Sequence, residues 1–162
     1  MTILWVIVAV CVTVLCAWAY FTAQRLDRLH TRLDRSRDAL QGALDRRCAV
    51  TAALMPELRS VARETEEVRL RARDITSRLD TERDLAERVA AQLECYGDGH
   101  DAGQARRELR DAHTRVLLAL RFYNEAVSDT RALRLRPVVR ALRLGGTAAL
   151  PEYAALKELD IR

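Results

Sequence analysis

The sequence predicts an all-α protein, with an N-terminal transmembrane helix that continues into an antiparallel, up-and-down four-helix bundle. Three observations predict it. Residues 1–23 hold no charged side chain, whereas everything after them is dense in Arg, Asp and Glu. Beyond that point apolar residues recur at helical intervals, and no stretch alternates with a period of two. The clear breaks in this pattern (Pro56, the glycines at 97–103, Pro137) leave room only for short connections. The chain's 162 residues suit one domain, and the charged part is long enough for one modest core. The chain accordingly divides into an anchor, 1–24; a bundle, 25–136, with helices at about 25–55, 57–79, 81–95 and 104–136; and a basic amphipathic segment with a C-terminal tail, 137–162.

The anchor runs ILWVIVAVCVTVLCAWAYFTA over residues 3–23. As a helix it spans ~31 Å, the thickness of one hydrocarbon core. Trp5 near one end and Trp18, Tyr20 and Phe21 near the other stand where aromatic belts form at lipid–water interfaces. Ala17-Trp18-Ala19 has the A-x-A form of a signal-peptidase site, but no basic side chain precedes the run, and the run exceeds a usual signal h-region. Cys11 and Cys16 follow Val10 and Leu15, where a lipoprotein signal has a small residue. Arg25, Arg28, Arg32, Arg35 and Arg37 follow the run closely. The positive-inside rule therefore expects a single-pass protein of the cell membrane, N-terminus outside and domain in the cytoplasm.

In the first bundle helix Leu26, Leu33 and Leu40 are seven apart, with Leu29, Ala43 and Leu44 on the same side. This is an amphipathic, coiled-coil-like stripe. Nothing interrupts it before Met55, so the membrane helix is expected to run on until Pro56 ends it. The second helix carries Val61, Val68 and Ile75 alongside Leu58, Thr65, Ala72 and Leu79; the third carries Leu85, Val89 and Leu93. No Gly or Pro separates them. A turn near Asp80 is expected from length alone, because one helix over 57–95 would be ~58 Å long and overshoot a ~46 Å neighbour. Tyr96-Gly-Asp-Gly-His-Asp-Ala-Gly103 reads as a loop. In the last helix Leu109, Val116, Tyr123 and Thr130 repeat by seven, with Ala112, Ala119, Ala126 and Leu133 between, until Pro137 stops it. Residues 152–162 read as a short helix or a frayed tail. Four such helices pack most simply as an antiparallel bundle, which brings the end of the last one back to the membrane.

Of 27 basic residues, Lys157 is the one lysine. The preponderance of Arg with Ala, Leu and Asp reads as GC-rich codon usage rather than phosphate recognition. Aromatic residues make up 5% of the chain and net charge is +4, too little stacking surface and too mild a charge for a nucleic-acid partner. The four cysteines form no C-x-x-C pair. His30, His100 and His113 are scattered, so neither a metal nor another cofactor is expected, nor a catalytic residue. Gly145-Gly146 is a break before Pro151, not a phosphate loop.

The segment 108–127, ELRDAHTRVLLALRFYNEAV, resembles the LemA family. Members carry a helix of the form E-L-x-x-x-E-x-x-I-x-x-A-R-x-x-Y-N-x-x-V, to which Leu109, Val116, Ala119, Arg121, Phe122, Tyr123, Asn124 and Val127 correspond. The paired Arg46-Arg47 and the run Leu93-Glu94-Cys95-Tyr96 are similar to further family features, and the likeness covers about residues 3–137. The chain departs from the pattern at His113, where the family has Glu, at Thr130-Arg131, where it has a second Y-N pair, and at Pro56, displaced from the double arginine. The resemblance implies an up-and-down four-helix bundle on a membrane anchor and no known reaction.

Two groups of residues stand out. Arg121, Phe122, Tyr123 and Asn124 place a buried tyrosine hydroxyl beside polar neighbours, either as a hydrogen-bonded network fixing helix register or as a polar site. Arg131, Arg134, Arg136, Arg140 and Arg143, with no acid among them and leucines and valines between, make a basic amphipathic stretch suited to an anionic membrane surface or, more plainly, a solvated face. The expected function is non-enzymatic: a membrane-anchored module of LemA type that binds a membrane or cytosolic protein or organises a membrane complex. Two alternatives are an accessory subunit or enzyme with a polar pocket at Arg121 and Tyr123, and an elongated bitopic coiled-coil scaffold. The heptad surfaces can also close on a second copy as a homo-oligomer.

Overall fold

A computed structural model describes residues 1–95, 100–141 and 149–156. Among the described residues the chain is helical and has no strand. Its elements are α1 (Thr2–Leu54), a 3-10 turn (Pro56–Leu58), α2 (Arg59–Glu67), α3 (Thr76–Cys95), α4 (His100–Arg134) and α5 (Pro137–Ala141).

α1 is one helix of 53 residues, ~80 Å long. Its N-terminal part is long and apolar enough to cross a membrane, and its large side chains from Ile3 to Leu15 stand exposed. A buried stripe of Leu26, Leu33, Leu40, Leu44, Cys48 and Thr51 follows in the same helix. No glycine or proline intervenes, so the apolar part passes directly into the core-forming part. Met55 ends the helix outside the helical region, at φ −127° and ψ 86°, because the Pro56 ring disfavours helical geometry for the residue before it. Pro56 then opens the 3-10 turn, where its missing N–H costs nothing.

α4 runs back along α1. The contacts advance in opposite directions along the two helices: Leu26 clusters with Leu133, Arg32 pairs with Asp129 at 2.8 Å, and Arg47 meets His113 at 3.1 Å. α2 also turns back along α1, but it has only nine residues, and the chain after it reaches no further than Gln41, whose Oε1 accepts from the Leu70 amide at 2.7 Å. α3 then runs in the same sense as α1, with Leu79 beside Leu44 and Leu93 beside Met55 and Leu109. Away from the apolar end, the core therefore has walls from α1, α2, α3 and α4. Nearer that end only α1 and α4 continue, and the extended segment 149–156 lies against them, burying Ala154 in a cluster with Leu33, Leu40, Tyr123 and Val127. At the base, Val139 of α5 closes on Leu26 and Leu133.

Three connections differ from the sequence-based expectation. The helix expected over 57–79 ends at Glu67, and the turn expected near Asp80 lies at 68–75; Asp80 itself is inside α3. Arg78 causes the early stop by taking the carbonyls at the end of α2, and Asp74 starts α3 by accepting from the Ser77 amide at 3.1 Å. Ala72, an expected core position, is exposed. α4 begins at His100, inside the expected loop, of which 96–99 lie outside the described residues. Pro137 does interrupt α4, yet it also opens α5 as its first residue, a position proline fits. Of the expected terminal helix or tail, 152–156 are extended and docked, and 157–162 lie outside the described residues.

Asp74→Ala removes the side chain that starts α3 and is expected to destabilise the domain by about 1 kcal/mol. Urea denaturation of the detergent-solubilised chain, followed by helical circular dichroism, measures it.

Candidate functional site

Helical spacing alone brings charged side chains into the upper core. On α1 the buried stripe passes from Leu44 to Arg47, Cys48 and Thr51, and on α3 it passes from Leu79 to Glu82 and Leu85, with Arg78 beside it. His113 occupies the matching position on α4. The side chains of Arg78 and Glu82 are both 0% exposed.

Glu82 is the centre of this cluster. Its Oε2 accepts from Arg47 Nη2. Its Oε1 accepts from Arg78 Nε at 3.0 Å and from the Cys48 thiol at 3.4 Å, with Arg78 Nη2 also 2.8 Å away. Arg78 Nη2 reaches Asp45 Oδ1 at 3.0 Å, and the more exposed Arg69 reaches Asp45 Oδ2 at 3.3 Å. Arg78 Nη1 donates to three carbonyls at the end of α2: Thr65 at 2.6 Å, Glu66 at 3.0 Å and Val68 at 2.7 Å. These are the carbonyls that a helix C-terminus leaves without partners.

Arg47 Nη1 lies 3.1 Å from His113 Nδ1. Arginine has only donors, so Nδ1 is the acceptor in this contact. Arg47 thus spans a buried carboxylate and a ring nitrogen. Burial, with the Glu82 carboxylate second, pushes the Cys48 thiol up to about 12, so it stays protonated and unreactive at neutral pH. Beside Arg47, Thr51 and His113 lies a small apolar niche with room for about one water molecule. The cluster ties α1, α2, α3 and α4 together in one register.

A second polar constellation lies on the lower half of α4, and its ligand is the chain itself. Asn124 clasps one residue of the docked segment with both ends of its amide: Nδ2 donates to the Ala154 carbonyl at 2.8 Å and Oδ1 accepts from the Ala154 amide at 2.9 Å. The Tyr123 hydroxyl donates to the Glu152 carbonyl at 3.0 Å, and burial raises the pKa of that hydroxyl above the ordinary phenol value. Arg131 donates to the Pro151 carbonyl at 2.9 Å and lies over the Tyr153 ring at 5.5 Å. Arg134 donates to the Ala149 carbonyl at 2.8 Å. The helix thus supplies side-chain partners to an extended backbone that has no strand beside it.

The two expected groups of residues are each split. Tyr123 is buried and Asn124 half-buried against the docked segment. Arg121 and Phe122 point outward, Arg121 pairing with Glu125 at 3.3 Å and Phe122 exposed beside Leu118. Arg131 and Arg134 hold the docked segment, Arg136 and Arg140 are exposed, and Arg143 lies outside the described residues. Arg78 and Glu82 were missed, although Leu79-x-x-Glu82-x-x-Leu85 sets an acid on an apolar stripe. No protein-family model, no curated protein and no solved structure matches this chain.

Glu82→Ala strands two buried guanidiniums and is expected to destabilise the domain by about 3–5 kcal/mol, read in the same urea titration, with Glu82→Gln in between. The Cys48 thiol is protonated in the fold to about pH 12, whereas an unfolded thiol ionises near pH 8.5. Stability it contributes is complete below the unfolded value and is lost as pH rises through the folded one. Cys48→Ala is therefore expected to flatten the alkaline limb of a stability-against-pH curve.

Proposed function

We propose that this chain is a non-enzymatic, membrane-tethered helical module of LemA type that holds another protein at the membrane, its domain in the cytoplasm. One observation carries the reading: the ionisable side chains drawn into the core are engaged by other parts of the same chain. Glu82 is surrounded by Arg47, Arg78 and Cys48, and the polar groups of the R-F-Y-N motif that face inward bind segment 149–156. What remains for a partner is surface. Leu118 and Phe122 lie one turn apart on the outer face of α4, both 53% exposed, with Arg121 and Glu125 beside them. An apolar pair flanked by charges suits a helix-face protein contact.

The domain is read as an uneven up-and-down bundle in which α1, α2, α3 and α4 alternate in direction and the docked segment takes the place of a wall that α2 is too short to supply. This accords with the LemA resemblance and with the return of α4 along α1, which makes the domain stout rather than rod-like. The arginines that follow the apolar run support the cytoplasmic side for it.

A photocrosslinking amino acid at position 122 tests the proposal in intact cells. The expected result is a discrete adduct to a cytosolic or inner-leaflet protein, absent when the crosslinker replaces exposed Glu87 on α3. Adducts only to a second copy would replace the partner by self-association, and adducts to a protein of the outer face would reverse the orientation.

A further inference from the structure

The structure brings a distant part of the chain to the level of the membrane. Residue 23 ends the apolar run, and Leu26 lies ~4.5 Å beyond it along the same helix. Leu26 is buried in one cluster with Leu133 and Val139. The corner between α4 and α5 is thereby held beside the point where α1 leaves the apolar core, within the headgroup layer, which adds about 5–7 Å to each side of the hydrocarbon. At this corner Leu135 and Val138 are 48% and 50% exposed, although Val139 between α5 and α1 is fully covered. Arg136 and Arg140 are exposed beside them, and Arg25 and Arg28 are exposed on α1 at the same height; none of the four makes an ion pair among the described residues.

We propose that this corner is a second membrane contact, in which Leu135 and Val138 enter the interface of the bilayer and Arg136 and Arg140 bind anionic lipid headgroups. It rests on the membrane-spanning reading of α1. An apolar pair flanked by cations is the composition of interfacial segments, and each cation near an anionic leaflet contributes attraction that a neutral one does not. A soluble partner is the weaker occupant, because the rigid α1 holds this patch beside the lipid whether or not another protein is present. Two attachment points at the base fix the tilt of the domain, whereas α1 alone would leave it free to pivot. Arg131 and Arg134, which also belong to the basic stretch, are occupied by segment 149–156 and lie outside the contact.

The experiment uses the full chain with Cys11→Ala, Cys16→Ala and Cys95→Ser, keeping buried Cys48, reconstituted in phosphatidylcholine vesicles with and without phosphatidylglycerol. A nitroxide is attached through Val138→Cys, and in separate samples through Ser128→Cys and Val12→Cys. Accessibility to oxygen and to a water-soluble nickel chelate reports depth. The expected result is a nitroxide at 138 that loses nickel accessibility relative to 128, more so with phosphatidylglycerol, and that regains it when Arg136→Ala and Arg140→Ala are combined. Equal nickel accessibility at 138 and 128, with 12 still shielded, overturns the second contact and leaves the anchor standing. Nickel accessibility at 12 as well overturns the spanning reading and the contact with it. Shielding at 138 that ignores phosphatidylglycerol and both arginines overturns the headgroup part.

Discussion

A carboxylate buried between two guanidiniums governs the upper half of this domain. Glu82 cannot be brought out of water alone, since the desolvation of one charge far exceeds any packing gain. It enters because Arg47 comes from α1 and Arg78 from its own helix, and each guanidinium finds further acceptors where it lies. Arg78 binds Asp45 on α1 and three carbonyls at the end of α2. Arg47 binds His113 on α4. One ionic cluster therefore touches α1, α2, α3 and α4. Sliding any of them by a turn would leave a buried charge without its partner, a penalty that leucines alone would not impose, because apolar stripes interlock in several registers.

The lower half solves a different problem. α2 stops short, so towards the apolar run of α1 the pair α1 and α4 continues with one apolar side uncovered by any helix. A strap of extended chain covers it. Extended backbone needs hydrogen-bond partners that a helix cannot offer from its own main chain, and the side chains of Tyr123, Asn124, Arg131 and Arg134 supply them. The motif that looked most like a polar site in the sequence thus serves in docking, and its outward half, Arg121 and Phe122, is exposed.

Much of this was legible in the residues. Leu26, Leu33, Leu40 and Leu44, then Leu85, Val89 and Leu93, then Leu109, Val116, Tyr123, Thr130 and Leu133 are buried, as their spacing requires. Periodicity is dictated by burial, and burial leaves it plainly in the sequence. The strap was not legible, because segment 149–156 has no internal period and owes its conformation to side chains 15 to 30 residues away. The ionic cluster was half legible: the stripes of α1 and α3 each carry a charge in line with leucines, but nothing in one sequence says which charge meets which. The turn at 68–75 was misplaced for a chemical reason. Helices that end at glycine announce it, and this one does not.

The reason it does not is that arginine here does what glycine does elsewhere. A helix end must satisfy its last carbonyls, commonly through a glycine in the left-handed region. In this chain the following element satisfies them instead. Arg59 of α2 donates to Ala52 at the end of α1 at 3.3 Å, Arg78 of α3 takes the end of α2, and Arg106 of α4 donates to Leu93 at the end of α3 at 3.1 Å. Arg131 and Arg134, from the preceding helix, likewise donate to carbonyls of the strap. A guanidinium offers five donors in a planar fork and favours the negative end of the helix dipole, whereas a lysine gathers its three on a single nitrogen. The abundance of arginine, which composition alone assigns to codon usage, has thus been put to structural use: carbonyls at the ends of α1, α2 and α3 each accept from an arginine of the next helix. The end of α2 is held by Arg78, which lies beyond the turn in α3, and local signals therefore misplace the boundary between these two helices.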